Sequence, residues 1–174
     1  WQKAYELIYH ANACLEGLEA RPGVAEPLQL QYMAEARLVR AFCYWYLTQL
    51  FGDVPLVLTT DYRINAVMPR AAQEKVYDQI VLDLEEAEQQ LPHMPVAERS
   101  RPSKAVASAL LARLYLYRGE WALAAAKSTA VIDNGAYQLV PDLGSVFQGQ
   151  SAQVLCQLYP TLPGVNSGEG NPFI

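Results

Sequence analysis

Apolar residues recur at spacings of three and four along most of the chain, which is the period of an amphipathic helix. In the first twenty residues this spacing joins five positions: Ala4, Leu7, Ala11, Cys14 and Leu18. The segment ends at Arg21-Pro22-Gly23, where proline cannot continue the helical hydrogen bonding and glycine relaxes the turn. The pattern therefore predicts a first helix over residues 1–20.

A second helix is predicted over residues 27–51, since proline suits the first turn of a helix. Its first half is amphipathic, and the polar face consists of Glu35, Arg37 and Arg40. Its second half, residues 41–51, has no charge and five aromatic residues, so we expect neighbouring helices to enclose it on several sides. Gly52 is expected to end the helix in the left-handed conformation, and Pro55 prevents the helix from resuming.

The uncharged run is too short for a membrane span, which needs about 20 apolar residues. Arg40 lies on one side of it and Asp53 on the other. The chain opens on Trp1-Gln2-Lys3, without the basic and then apolar segments of a signal peptide. The sequence therefore predicts neither a membrane helix nor a leader.

Three further helices are predicted over residues 72–91, 103–119 and 120–135. In the first of them, the apolar spacing is kept by Tyr77, Ile80, Leu84, Ala87 and Leu91. Acidic residues, Asp83 among them, are expected to cover its other faces. Ser103 is expected to cap the second, and glycines at positions 119 and 135 end the last two.

The stretches between these helices are irregular. Residues 54–72 lack the helical period and are interpreted as an extended start followed by a surface loop with Tyr62 and Arg63. After residue 135 the helical signals fade, leaving a strand predicted over residues 153–159 and an end rich in Pro, Gly and Asn.

The last two predicted helices match the spacing of a tetratricopeptide hairpin. The matching positions are Leu111, Ala112, Tyr115, Trp121 and Ala124. The two alanines allow the backbones to approach, and the two aromatic residues are expected to fill the groove between hairpins. The predicted fold is mainly all-α: tetratricopeptide-like helical hairpins with an irregular C-terminal extension.

Composition agrees with a well-buried protein. Of 174 residues, 52% are hydrophobic and 18% are charged, which excludes an intrinsically disordered chain. The net charge is −5 and the 13 Lys and Arg form no basic cluster, so we expect no nucleic-acid partner. The three cysteines, Cys14, Cys43 and Cys156, are far apart and are expected to be free, buried thiols. No zinc site or other cofactor is predicted.

Five segments, in the same order, resemble the SusD/RagB family of outer-membrane nutrient-binding lipoproteins. AEARLVRAFCYWYLTQLFGDVPLV resembles its long second helix and Gly-Asp-Val-Pro turn. WQKAYELIYHAN is similar to its early helix, and PRAAQEKVYDQIVLDLEEAEQQLP to its third. SKAVASALLARLYLYRGEWALAAAKSTAVIDNGAYQL resembles its tetratricopeptide-like hairpin, and residues 145–174 resemble the segment after that hairpin.

The resemblance implies a surface lipoprotein of the outer membrane that binds glycans or oligosaccharides and hands them to a TonB-dependent (SusC-like) transporter. Family members are about three times longer, so the chain is expected to be a fragment without the lipid anchor. It is divided as one SusD-like helical domain, 1–174: a first helical pair (1–51), a third helix and hairpin (71–135), and the start of a loop-rich region (136–174).

Exposed aromatic residues are the candidates for contact with sugar rings. Tyr44, Trp45 and Tyr46 lie in the uncharged run and, like Trp121, are expected to be buried. Trp1, Tyr62 and Tyr159 lie at a margin or in irregular stretches and are the weak candidates for ligand binding.

Catalysis finds little support. His10 is expected in the core or a groove, His93 lies in a proline-rich loop, and neither accompanies a nucleophile motif. Glu85, Glu86 and Glu88 are expected on a solvated helix face, where nothing raises the pKa of a general acid. Asp53 is expected to bind backbone N–H groups in its turn.

Three function classes can be compared with these patterns. The first is a non-enzymatic nutrient-binding subunit, as the resemblance implies. The second is a tetratricopeptide-type scaffold that binds peptides. Such a scaffold needs cations on its concave face, and the last two helices offer mainly Lys104, Arg113 and Lys127. The third, a glycosidase, needs two carboxylates facing each other across a cleft, and the sequence gives no reason to place any there.

Overall fold

The computed structural model describes residues 1–20, 23–95, 99–145 and 151–158. Within them lie six α-helices: α1 (Gln2–Ala20), α2 (Glu26–Phe51), α3 (Tyr62–Asn65), α4 (Gln73–Gln90), α5 (Lys104–Tyr117) and α6 (Trp121–Ile132). Two short antiparallel strands pair, β1 (Val54–Pro55) with β2 (Arg70–Ala71), and a 3-10 turn spans Leu143–Ser145. The five long helices predicted from the apolar spacing are confirmed.

The long helices pack in hairpins. Helix α2 lies between α1 and α4, and α5 lies between α4 and α6. One continuous apolar core runs through all five, and its fully buried members include Ile8, Tyr44, Ile80, Leu111 and Leu114. The mainly all-α prediction is therefore confirmed.

Gly119 makes the tight turn from α5 into α6. Its φ of 75° lies in the left-handed region, which glycine enters without steric cost. Gly52 also has a positive φ, 66°, but its ψ of −121° lies outside the left-handed helical region that the sequence predicted. Ser103 precedes α5 as predicted, yet its hydroxyl does not cap the helix: it lies 2.9 Å from the hydroxyl of Tyr137.

The second half of α2 is enclosed on fewer sides than predicted. Tyr44 and Trp45 are buried as expected, but Tyr46 is 47% exposed. It belongs to an exposed stripe that also contains Val39, Phe42 and Leu50. These residues are spaced by three and four positions, so they share one face of α2, and that face is partly open to solvent.

Trp121 was expected to be buried and His10 to lie in the core or a groove, but neither residue lies in the core. Trp121 is 65% exposed, because its ring lies over the turn at Gly119 rather than between hairpins. The other four positions of the hairpin motif are buried. His10 is exposed on α1, with its ring 5.9 Å from that of Tyr9.

Two charged residues expected at the surface are in the core. Arg40 is 7% exposed and Asp83 is 1% exposed. The prediction of both as surface residues is wrong because they form an ion pair with each other, which lets two charges leave water together.

Cysteine exposure, the predicted C-terminal strand and the membrane prediction can each be compared with the structure. Among the cysteines, Cys43 is buried as predicted, Cys156 is half-buried and Cys14 is exposed. Residues 153–158 form no strand, and Tyr159 lies outside the described residues. Among the described residues, no helix is both long and apolar enough to cross a membrane.

Candidate ligand-binding loop

Residues 56–69 connect the two short strands and form the Tyr62 loop. Its tip is α3, which begins where the Asp61 carboxylate accepts a hydrogen bond of 2.9 Å from the backbone N–H of Arg63. Tyr62 is 77% exposed and Val67 is 80% exposed. The exposure that the sequence predicted for Tyr62 is confirmed.

Three polar side chains of α1 hold the start of this loop and the strand before it. The hydroxyl of Tyr5 donates to the carbonyl of Pro55 at 2.8 Å, and the amide of Asn12 donates to the carbonyl of Val57 at 3.1 Å. Positions 5, 12 and 16 lie on one face of the helix, since they are seven and four residues apart. Burial raises the pKa of Tyr5 to about 12, so its hydroxyl remains a donor at neutral pH.

The third of these side chains, Glu16, binds the loop most extensively. Its carboxylate accepts hydrogen bonds from the Thr59 hydroxyl at 2.9 Å, the Thr60 backbone N–H at 2.9 Å and the Thr60 hydroxyl. These bonds stabilise the charged form, so the pKa of Glu16 lies below its usual value. Farther along, the Asn65 amide donates to the Thr59 carbonyl at 2.8 Å.

A buried network fixes the direction of the Asn12 amide. Arg40 binds both oxygens of Asp83, at 2.8 and 2.6 Å, and its third nitrogen donates to Asn12 Oδ1 at 2.8 Å. Because Oδ1 is the acceptor of that bond, Nδ2 is left to donate to Val57. Burial alone would lower the pKa of Arg40, but the hydrogen bonds and charge of Asp83 outweigh it, so the pKa is raised.

Tyr44 completes the support of the loop. Its hydroxyl accepts from the Val57 N–H at 2.6 Å and donates to the Val57 carbonyl at 2.9 Å. Val57 is therefore held at both of its backbone polar groups by α1 and α2 together. Sequence reasoning missed Asn12 and Glu16 as loop anchors; the signal available was their polar character on the otherwise apolar face of α1.

Trp1 lies in a separate aromatic cluster. Its ring is 5.0 Å from that of Phe51 and 5.2 Å from that of Tyr5, and the Arg70 guanidinium lies over it at 5.8 Å. Trp1 is 48% exposed, so part of its ring is already covered. Glu16, which holds the Tyr62 loop, is fifteen residues farther along α1, or about 22 Å at the helical rise. The structure therefore does not join Trp1 and Tyr62 in one site.

Glu85, Glu86 and Glu88 of α4 each have a different partner. Glu85 accepts from the Tyr115 hydroxyl at 2.9 Å, and Glu86 pairs with Arg37 at 2.5 Å. The side chain of Glu88 is only 14% exposed, so the prediction of a fully solvated face is wrong for it. Across the described ranges, no three His, Cys, Asp or Glu side chains cluster in a way that could hold a metal ion.

Asp53 acts as the sequence predicted. Its carboxylate accepts a hydrogen bond of 3.0 Å from the backbone N–H of Gln73, at the first residue of α4. The Gly-Asp-Val-Pro turn therefore ties the end of α2 to the start of α4.

Comparison with known proteins places this fold in a family. Residues 1–116 match the model of a SusD-like family described as "Starch-binding associating with outer membrane". The chain therefore belongs to the SusD-like family, a family of carbohydrate-binding proteins, as the sequence resemblance indicated.

Individual relatives support the same family assignment. SusD-like protein P2 of Formosa agariphila is 33% identical over 153 residues, which cover 84% of this chain and 30% of that relative. A SusD superfamily protein from Bacteroides thetaiotaomicron VPI-5482 superposes with a TM-score of 0.85 at 26% identity, covering 92% of this chain and 38% of the other. A structure of a laminarin-binding SusD-like protein is 30% identical, with a TM-score of 0.77, over 84% of this chain and 33% of the other. The chain thus spans about a third of the length of the proteins it matches.

Proposed function

We propose that this chain is the helical scaffold of a non-enzymatic glycan-binding protein at the cell surface, and that it contacts glycan through the Tyr62 loop. Family membership supports the ligand class, and the similarity to a laminarin-binding protein supports a glucan among the first ligands to test. The 174 residues would act as one helical unit.

The observation that carries the loop assignment is the exposed ring of Tyr62 on a segment whose backbone is already fixed. Tyr62 is 77% exposed and makes no ring contact with another described aromatic residue, so most of its side-chain surface is available to a ligand. A tyrosine combines a flat apolar body with a hydroxyl, which suits the C–H faces and hydroxyl groups of a sugar. Because the loop is ordered before binding, little conformational entropy is lost when it binds.

Delivery to a TonB-dependent transporter completes the proposal. In that arrangement the protein lies over the transporter and is held to the outer membrane by a lipid anchor. The family description, association with the outer membrane, supports this location. Co-purification of the longest form of the protein with a transporter of the same organism would test it, and a protein that never co-purifies with one would contradict it.

The peptide-binding alternative finds less support. It requires cations that share one groove, but Arg113 lines the space between α2 and α5, whereas Lys104 and Lys127 line a cleft between α4 and α6. The three cations expected for peptide binding are therefore divided between two surfaces.

Calorimetry and gel retardation with laminarin and other neutral polysaccharides test the glycan proposal. They should be run on this chain and on the longest form of the protein that can be prepared. We expect Tyr62→Ala to weaken binding by about three- to tenfold, the range of one aromatic contact. Tyr117→Ala is the control, because Tyr117 is also exposed but lies at the end of α5, whereas the loop is held by α1 and α2. Equal effects of the two substitutions would contradict the loop assignment, and no binding to any glycan would contradict the function.

A further inference from the structure

A second surface of the chain carries the features of a binding site. An open cleft of about 420 Å³ lies between the C-terminal part of α4, the start of α5, and α6. This volume falls within the range of about 300–1,000 Å³ that small-molecule sites occupy. The space exists because the helices present alanines to it: Ala105, Ala126 and Ala130.

One wall of the cleft contains the Glu88 carboxylate, which is held by two neighbouring side chains. The Glu88 carboxylate accepts a hydrogen bond of 2.6 Å from the hydroxyl of Ser108, which is buried, and also pairs with the ammonium of Lys127. The Lys127 side chain is only 25% exposed, so Glu88 holds its ammonium group in the cleft. An ammonium has three donors, and this pair uses one of them.

The cleft has an excess of positive charge. Lys104 and His93 also line it, and the side chain of neither forms a hydrogen bond or an ion pair with another residue of the described part of the chain. Two ammonium groups therefore face one carboxylate, on a protein whose net charge is −5. A local potential opposite to that of the whole molecule favours the entry of an anionic ligand.

Asn134 adds a neutral donor at the same place. Its Oδ1 accepts from the backbone N–H of Ala136 at 3.3 Å, which leaves the amide Nδ2 for a ligand. We propose that this cleft binds an acidic sugar unit, with Lys104 and Lys127 on the uronic acid carboxylate and Asn134 on a sugar hydroxyl. This inference rests on the proposed glycan-binding function and names an acidic glycan as a ligand class that the Tyr62 loop does not select.

The test compares an oligogalacturonate with its methyl ester, which has the same ring and no charge. We expect calorimetry to show the acid binding about fivefold more tightly, in line with one or two exposed ion pairs, with the difference shrinking as salt is raised. Lys104→Met should remove most of this difference. Arg113→Met is the matched control, because it deletes the same charge in the groove between α2 and α5.

Because Lys127→Met leaves Glu88 without its cation, circular dichroism must show that this variant is folded before its binding of the acid and the ester is measured. Chemical-shift changes at Ser108 and Ala130 on adding the acid give a second measure, which needs no variant. Equal binding of acid and ester, equal loss in Arg113→Met and Lys104→Met, or a preference for acidic peptides over the uronate would each overturn the proposal. Binding of laminarin without any preference for the acid would overturn this inference alone, whereas failure to bind either glycan would overturn the glycan function itself.

Discussion

Two of the carboxylates of helix α4, those of Asp83 and Glu88, pair with cations on different sides of the molecule. Asp83 and Glu88 are five residues apart, which places them about 140° apart around the helix. Asp83 and its partner Arg40 are 1% and 9% exposed in their side chains, and Arg40 is also bonded to Asn12. Glu88 and its partner Lys127 are 14% and 25% exposed.

The difference separates a structural ion pair from one that is open to a ligand. The guanidinium of Arg40 uses its donors on Asp83 and Asn12, and these bonds fix the Tyr62 loop. Lys127 lines an open cleft, and its pair with Glu88 uses only one of its three donors. Burial and the number of satisfied donors, rather than the presence of an ion pair, decide which role a charge can take.

The largest effect that tests this comparison is expected for Asp83→Ala. It leaves Arg40 buried without its counter-charge, which costs about 3–5 kcal/mol of the free energy of unfolding. Glu88→Ala is the matched control and should cost about 1 kcal/mol, because its pair is partly open to water. Denaturant unfolding measures both. Equal losses in the free energy of unfolding would show that the two ion pairs contribute equally to stability.

A double replacement sharpens the same comparison. Arg40→Met with Asp83→Leu removes both charges together, and such apolar replacements of buried pairs are often neutral or stabilising. We expect most of the stability to return while Asn12 loses the bond that orients it. Faster amide exchange at Val57 in a stable double variant would confirm that the pair positions the loop.

The second effect concerns the turn at Gly119, which connects α5 to α6. Gly119→Ala places a side chain at a φ of 75°, which costs about 1–2 kcal/mol. A Cβ there would meet Trp121 at an ordinary 3.6 Å, so the cost is conformational rather than steric. Gly17→Ala in α1 is the control and should stabilise by about 0.5–1 kcal/mol, since no atom lies near its Cβ position. A neutral Gly119→Ala in thermal unfolding would contradict this account of the turn.

A smaller effect is expected from pH at the Tyr62 loop. The folded pKa of Glu16 is lower than its unfolded value, so its contribution is complete above about pH 4.5 and is lost as the pH falls through the folded pKa. The free energy of unfolding should therefore fall more between pH 6 and pH 3 in the parent protein than in Glu16→Gln. The same pH dependence in both proteins would show that the Thr59 and Thr60 contacts are not those described.

The smallest effect is expected for Trp121→Ala. Its ring is 65% exposed, and surface substitutions change stability by about 0.5 kcal/mol or less. Trp45→Ala, at a side chain that is 7% exposed, should cost about 3–5 kcal/mol. Unfolding of the two variants decides between a surface role and a core role for Trp121.

The sequence predicted the helices well because each one repeats its own local signal. Apolar spacing marked the buried faces, and Gly52, Gly119 and the prolines marked the ends. Arg40 and Asp83 were misplaced because their pairing joins positions 43 residues apart, which no local period reveals. Trp121 was misplaced because a motif offset does not say on which side of a turn a ring will lie.

The candidate site was predictable only in part. The irregular stretch around Tyr62 indicated an exposed aromatic ring, and the structure confirmed the exposure. The contacts of Glu16 with Thr59 and Thr60 also span about 43 residues, so the rigidity of the loop could not be read from its own sequence. Likewise, Lys104 and Lys127 were noted as cations, but only the packing of α5 against α6 brings them to one cleft.

The way the Tyr62 loop is anchored has a consequence for how such proteins can diversify. Tyr5, Asn12 and Tyr44 bind backbone atoms of Pro55 and Val57, so these attachments do not depend on which side chains the loop carries. Residues at the tip, such as Tyr62 and Ile64, can therefore be exchanged while the loop keeps its position. A lineage could change its preferred sugar by substitutions in a few consecutive codons and inherit the framework intact.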